Sequence, residues 1–285
     1  MRDFRFLQPD DLSAVLKAKQ DERENGRILA GGTNLLSYIK LGRVKEGLLI
    51  DITRLKELKQ IEEKAEHITF GASLTIQDLI ESPVLRKRLP GFFESLQLFG
   101  NPLIRAKATL GGNIADASPI ADTAPILLVL DAVVNIASSR GERTVELARF
   151  FTGVGKTVLE PDEVLTSIKV PVHAESRTKM LKLGLRKGTA CSVTSTAVRL
   201  EMADGTIQDL RVAMGGVAPT PLRAYSVEQA LTGKRFSVDE IETHASLLRQ
   251  DISPISDVRG TAEYRREVSV KLLKRALKTA AGMEV

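Results

Sequence analysis

The chain has 285 residues, 43% of them hydrophobic and 27% charged, with a formal net charge of +5. That length supports two units with separate cores, and the mild charge, with no tryptophan and nine phenylalanines, offers no basic–aromatic platform for nucleic acid. A single cysteine, Cys191, excludes an internal disulfide and an iron–sulfur cluster, which takes about four thiolates, and the longest apolar stretch, Ala124 to Ala137, is too interrupted by Pro125, Asp131 and Asn135 to insert into a membrane.

The opening MRDFRFLQPDD turns polar before any apolar signal core can form, so a cytoplasmic location is expected. Asp10-Asp11 then starts a helix. Arg27 to Ala30 reads as a strand running into Gly31-Gly32, after which Thr33 can cap a helix through Ile39. Strands are predicted at Gly47 to Ile52 and His67 to Ala72, and a helix at Thr75 to Ile80. A helix over Gly91 to Leu98 stops at Gly100-Asn101-Pro102. Asp122 to Leu130 is an apolar helix, followed by a strand over Ala132 to Ala137. The pattern changes after the strand Val164 to Val170, and the polar stretch His173 to Lys179 is the expected domain boundary. Beyond it, strands at Ser192 to Met202 and Thr206 to Met214 join through the hairpin turn Ala203-Asp204-Gly205. Helices follow at Ser226 to Leu231, Val238 to Gln250 and Ala262 to Ala280. The basic run Arg259 to Lys278 falls on the last of these and reads as a solvated helix face. The scattered His67, His173 and His244 have no metal-ligand spacing.

Two segments carry a Gly-Gly pair followed by a small polar residue: Leu29 to Leu36 and Thr109 to Ile114. Glycine lets a ligand approach the backbone, and converging N–H groups in such turns can hold an anion. Each pair taken singly is equally a tight loop. Gly153-Val-Gly155-Lys156-Thr157 ends like a P-loop, but the first glycine would fall at Phe150, so the motif fails. No G-x-G-x-x-G opens a helix after a strand, which argues against a dinucleotide fold of that type. Asp122 is read locally as a helix N-cap or as an acceptor for ligand hydroxyls.

Read together, Ala30-Gly-Gly-Thr-Asn-Leu-Leu, Ile104-Arg-Ala-Lys-Ala-Thr-Leu-Gly-Gly-Asn-Ile with Ala117-Ser-Pro-Ile-Ala-Asp-Thr-Ala-Pro, Gly215-Gly-Val-Ala-Pro-Thr-Pro-Leu-Arg-Ala and Asp257-Val-Arg-Gly-Thr-Ala-Glu-Tyr-Arg-Arg resemble, in that order, the landmarks of the FAD subunit of molybdenum hydroxylases. The resemblance implies an α+β chain. A vanillyl-alcohol-oxidase (PCMH)-type FAD-binding domain of two subdomains would span residues 1–173, and a smaller α+β C-terminal domain 177–282. It implies that Leu29, Ala30, Gly31, Gly32, Thr33, Asn34, Leu35 and Leu36 meet the FAD diphosphate, together with Thr109, Gly111, Gly112 and Asn113. Asp122 would serve the sugar or ribityl hydroxyls, and Ile104 and Ser118 are further expected cofactor contacts. Phe99 would lie beside the flavin ring, with Leu165 and Lys182 approaching from the second half. Where many relatives carry an acidic residue after the basic strand, this chain reads Gly188-Thr189-Ala190, a departure at the flavin's exposed side.

The same resemblance implies partners: a large molybdopterin-binding subunit, a small 2Fe-2S subunit and an acceptor such as NAD. The lone cysteine excludes the variant with an extra cluster-bearing insertion. No nucleophile–base constellation is visible, so the expected role is electron transfer, with the redox chemistry supplied by the cofactor. Two other readings remain at this point, a stand-alone flavin oxidase and an assembly subunit that has lost FAD.

Overall fold

The computed structural model describes residues 4–45, 47–186 and 188–283. The first three residues of the polar opening therefore lie outside it. The chain opens with β1 (Arg5–Leu7), α1 (Leu12–Glu22), β2 (Gly26–Leu29), α2 (Leu35–Lys40) and β3 (Leu48–Asp51). These strands form a parallel sheet in the order β1-β3-β2. Its small core gathers Val15, Ile50, Ile52, Leu55 and Leu58. Asp11 caps α1 by accepting from the Ala14 amide.

A second sheet follows, built from β4 (Ile61–Glu63) and β5 (His67–Gly71), then, after a run of helices, β6 (Val133–Ser138), β7 (Gly141–Glu146) and, past the small hairpin of β8 (Phe151–Gly153) and β9 (Lys156–Thr157), β10 (Val164–Pro171). The order is β4-β5-β10-β6-β7 and every pairing is antiparallel. The intervening helices are short: α3 (Ile76–Glu81), α4 (Pro83–Arg88), α5 (Pro90–Leu96), α6 (Pro102–Arg105), α7 (Leu110–Ala115) and α8 (Ala124–Val129). Four of the six begin with proline in the first turn. Proline is favoured there because it has no N–H to leave unsatisfied, and it forces the preceding residue out of the helix. The result is a string of one-turn and two-turn helices that can follow a curved path around the core.

The third sheet is antiparallel, in the order β11 (Arg177–Gly184), β12 (Ser192–Ala203), β13 (Thr206–Gly215), β14 (Leu222–Arg223). The β12–β13 hairpin turns at Asp204 and Gly205, both at positive φ (50° and 74°), the geometry that suits the right-handed twist of paired strands. Helices α9 (Tyr225–Leu231), α10 (Val238–His244), α11 (Leu248–Asp251) and α12 (Ala262–Ala280) cover it, enclosing Val198, Leu210, Val212, Leu273 and Leu277. The main core does not stop at the junction with this third sheet. Alongside Phe70, Phe92, Leu127 and Ile168 it takes in Met180, Ala197 and Ala213 from β11, β12 and β13.

Several expectations need correcting. The helix predicted over Val238 to Gln250 breaks at a 3₁₀ turn, Ala245–Leu247. There the His244 ring bonds to the Glu240 carbonyl and Ser246 to that of Thr243, side-chain competition that loosens a helix. The polar stretch through Lys179 already contains the start of β11. The segment 109–114, read as a turn, instead holds the cap Thr109 and most of α7 (Leu110–Ala115). Thr33 does not cap α2; Asn34 stands at that position without a side-chain cap bond. Nor does Asp122 cap α8, which begins after Thr123.

Candidate cofactor site

The first glycine segment leaves the end of β2 and passes directly over the backbone ahead of α7. A Cβ on Gly31 would lie 1.9 Å from the Lys107 carbonyl oxygen, and Gly32 has φ +68°. Both positions therefore require glycine, one for closeness and one for conformation. The loop is held to α7 from the other side as well. Asn34 donates to Asp116 at 2.7 Å and the Tyr38 hydroxyl reaches the same oxygen at 3.4 Å. Burial, with Asp116 close by, raises the Tyr38 phenol above its ordinary range. Among the described residues, no acceptor meets the N–H groups of Gly31, Gly32, Thr33 or Asn34. Four successive amides with no acceptor among those residues, at a partly exposed turn, are suited to an anion such as a diphosphate.

The second glycine segment is different. Thr109 caps α7 by accepting from the Gly112 amide at 3.1 Å. The Leu110 amide bonds to the Leu74 carbonyl and that of Gly111 to Ala72, both at 2.9 Å. A Cβ on Gly111 would lie 2.6 Å from the Ala72 Cβ, so this glycine serves close packing of α7 on the segment after β5. The helix-starting amides are thus already engaged. What α7 can offer a ligand is the exposed Gly112 edge and the side chain of Asn113. Thr123 donates to the Asn113 oxygen from both its N–H and its hydroxyl, which leaves the Asn113 NH₂ to give.

Asp122 faces the third sheet. Its carboxylate accepts from Lys182 Nζ at 2.7 Å and from the Ser192 hydroxyl at 3.2 Å. Burial raises its pKa, and the ammonium opposes that shift without cancelling it. Ser118 is half-buried in the same connection, and its hydroxyl accepts from the Ile120 amide. Phe99 and Leu165 are buried in the main core, and Ile104 packs half-buried against it. Arg105, which attracted no attention in the sequence, donates to the Phe99 carbonyl at 3.1 Å. Asp116, Arg105 and Ser192 had no local motif to mark them, because their partners lie on other elements or at other turns.

The four landmark segments meet in a relay. Gly31 lies on Lys107. The Gly216 amide donates to the Pro119 carbonyl at 2.8 Å. Arg265, itself buried, donates to the Gly216 carbonyl at 2.8 Å and to Asp257 at 2.5 Å. A pocket of about 140 Å³ elsewhere, lined by Glu57, Gln60, Glu62, Thr69 and Ser167 among others, contains none of these residues. Among the described residues no group of three or more His, Cys, Asp or Glu side chains could hold a metal ion, and no helix is long and apolar enough to cross a membrane.

Comparison with known proteins identifies the family. A family profile described as the FAD binding domain in molybdopterin dehydrogenase matches residues 2–173, and one described as the CO dehydrogenase flavoprotein C-terminal domain matches residues 179–280. The glyceraldehyde dehydrogenase medium chain of Sulfolobus acidocaldarius is 31% identical over 98% of this chain and 99% of its own length. The carbon monoxide dehydrogenase medium chain of Hydrogenophaga pseudoflava is also 31% identical, over 97% of this chain and 96% of its own. A solved structure of carbon monoxide dehydrogenase from the same organism superposes with a TM-score of 0.96 at 32% identity, covering 99% of this chain and 98% of that one.

Proposed function

This chain belongs to the family of FAD-binding subunits of the molybdenum hydroxylases, and from that premise we propose that it relays electrons from the iron–sulfur clusters of a partner to an acceptor such as NAD. The fold is the FAD-binding fold of that family with its smaller C-terminal domain. The partners proposed are a large molybdopterin-binding subunit and a small 2Fe-2S subunit, since one cysteine in the whole chain leaves the clusters to another polypeptide. A division into units of residues 1–173 and 177–282, and a cytoplasmic location, belong to the same proposal.

The observation that carries the reading is the loop Gly31 to Asn34, whose open amides sit where the backbone is forced close to the start of α7. These residues fit the cofactor. In the proposal, Leu29 to Leu36 bind the diphosphate, and Thr109, Gly112 and Asn113 close the other side. Gly111 acts through packing. Ser118 and Asp122 serve the hydroxyl-bearing middle of the cofactor, Asp122 with lone pairs that Lys182 and Ser192 leave free. Ile104, Phe99, Leu165 and Lys182 shape the flavin end. FAD, when bound, supplies the redox chemistry, accepting electrons singly and releasing them as a pair. The chain contributes position, exclusion of water and a fixed charge at Lys182.

The test is direct. The purified chain is expected to carry the flavin absorbance bands, and in the assembled complex substrate should bleach them. A colourless protein that does not take up FAD would point to an assembly role. Reduced clusters beside a flavin that stays oxidised would overturn the proposed route.

A further inference from the structure

Three successive carbonyls turn the chain between α5 and α6, and each meets a donor from a different place. Lys182 Nζ on β11 lies 3.1 Å from the Leu98 oxygen. Arg105 on α6 lies 3.1 Å from that of Phe99. The Thr189 amide, in the connection between β11 and β12, lies 3.3 Å from that of Gly100. Two of the three donors thus come from the third sheet, across the junction. Asn101 adds a contact to the Thr189 hydroxyl at 3.3 Å.

Apart from the buried Phe99 ring, the corner is otherwise held by local bonds, the Leu98 and Phe99 amides donating to the Ser95 and Leu96 carbonyls at 3.0 and 3.1 Å. The three carbonyls lie past the end of α5 at Leu96, outside any helix or strand ladder, and Gly100 sits at φ +46°. Thr189 is held in turn. It lies at φ +52°, and the Arg186 guanidinium donates to its carbonyl at 2.8 Å. The Lys182 side chain is 6% exposed, so its charge is stable only with partners in place. Those partners are Asp122, at 2.7 Å, and the Leu98 carbonyl, at 3.1 Å. Moving β11 would therefore pull on both the Asp122 segment and the corner that bears Phe99.

We propose that Lys182 and the Thr189 amide form a two-point latch by which the third sheet fixes the corner Leu98–Gly100, making Lys182 a positioning residue for Phe99. The functional consequence rests on the FAD reading above, because it is the flavin that Phe99 would face. The latch itself is a property of the chain without cofactor.

The test compares the full chain with K182M, K182R and D122N by amide hydrogen exchange, without FAD and then with FAD added. K182M, which keeps the stem and removes the charge, is expected to speed exchange across residues 97–101 and at Thr189 by about tenfold or more, the effect of losing a charge-assisted bond. Exchange in β4 and β5 should stay unchanged. K182R should keep part of the protection, and D122N, which takes the carboxylate partner from the buried ammonium, should also loosen the corner. With FAD bound, K182M should keep the faster exchange at the corner, which separates a displaced corner from the loss of the Lys182 charge beside the flavin. Unchanged exchange at the corner in K182M overturns the latch. If K182M does not fold, K182R with faster exchange confined to the corner supports it, and wild-type exchange in K182R overturns it. A wild-type chain that binds no FAD defeats the FAD reading alone, since the cofactor-free exchange still decides the latch.

Discussion

A methyl group on Gly31 would occupy the space of the Lys107 carbonyl, whereas one on Gly112 would meet only the Thr109 hydroxyl, at 2.7 Å. Backbone cannot step aside as a side chain can, so the two glycines are expected to respond unequally to the same change. Gly31→Ala should push the first loop off α7 and cost about 1–3 kcal/mol, as overpacking does; it should purify with little flavin. Gly112→Ala should lose less FAD than Gly31→Ala, and the ratio of flavin to protein absorbance separates the two. Equal flavin content in both would sink the argument. The Gly-Gly pairs were legible in the sequence as places where backbone comes close to something. What each one approaches was not, because Lys107 and Ala72 lie far from Gly31 and Gly111 in the chain. Asp122 shows the same limit. Local rules left it a cap or a ligand acceptor, and gave no hint that each of its oxygens accepts from a residue of the third sheet, Lys182 and Ser192, 60 and 70 residues further on.

At the level of elements, long periodic segments were read with the right type and nearly the right ends; Ala262 to Ala280 is one. The short ones were missed where tertiary contacts outweigh local preference. Two adjacent glycines disfavour a helix, yet α7 forms because Thr109 caps it and its first amides find carbonyls at Ala72 and Leu74. Thr109→Val removes the cap oxygen while keeping the shape. It should cost about 1 kcal/mol, lowering the melting temperature by a few degrees for a chain of this size. Serine at the same position should restore it. β11 escaped because its alternation of basic and apolar residues also suits a surface loop, and only pairing with β12 makes it a strand.

Over the whole molecule, the junction between the second and third sheets is charged as well as apolar. Asp131, at φ +53° after α8, accepts from Arg199 at 2.9 Å and from Arg223 at 3.0 Å. Asp209 holds Arg199 at 2.7 Å. His173 lies beside this network. Burial first, then the charge of Arg199, lowers its pKa below 6.5, against the smaller pull of Asp131 and Asp209. A histidine held neutral by the fold stabilises it above its unfolded pKa, and that contribution is lost as pH falls through the depressed folded value. The melting temperature should therefore drop between pH 7 and pH 5, and His173→Gln should flatten that part of the profile. An identical slope in both proteins would exclude His173 as the source.

Because Met180, Ala197 and Ala213 are built into the same apolar mass as Phe92 and Leu127, the junction is no seam. A protease nick near residue 175 would not release two independent modules, each able to survive alone; either fragment would carry a raw oily face that water had never touched. Swapping the C-terminal part between relatives would accordingly demand that these three positions travel with the helices they rest against.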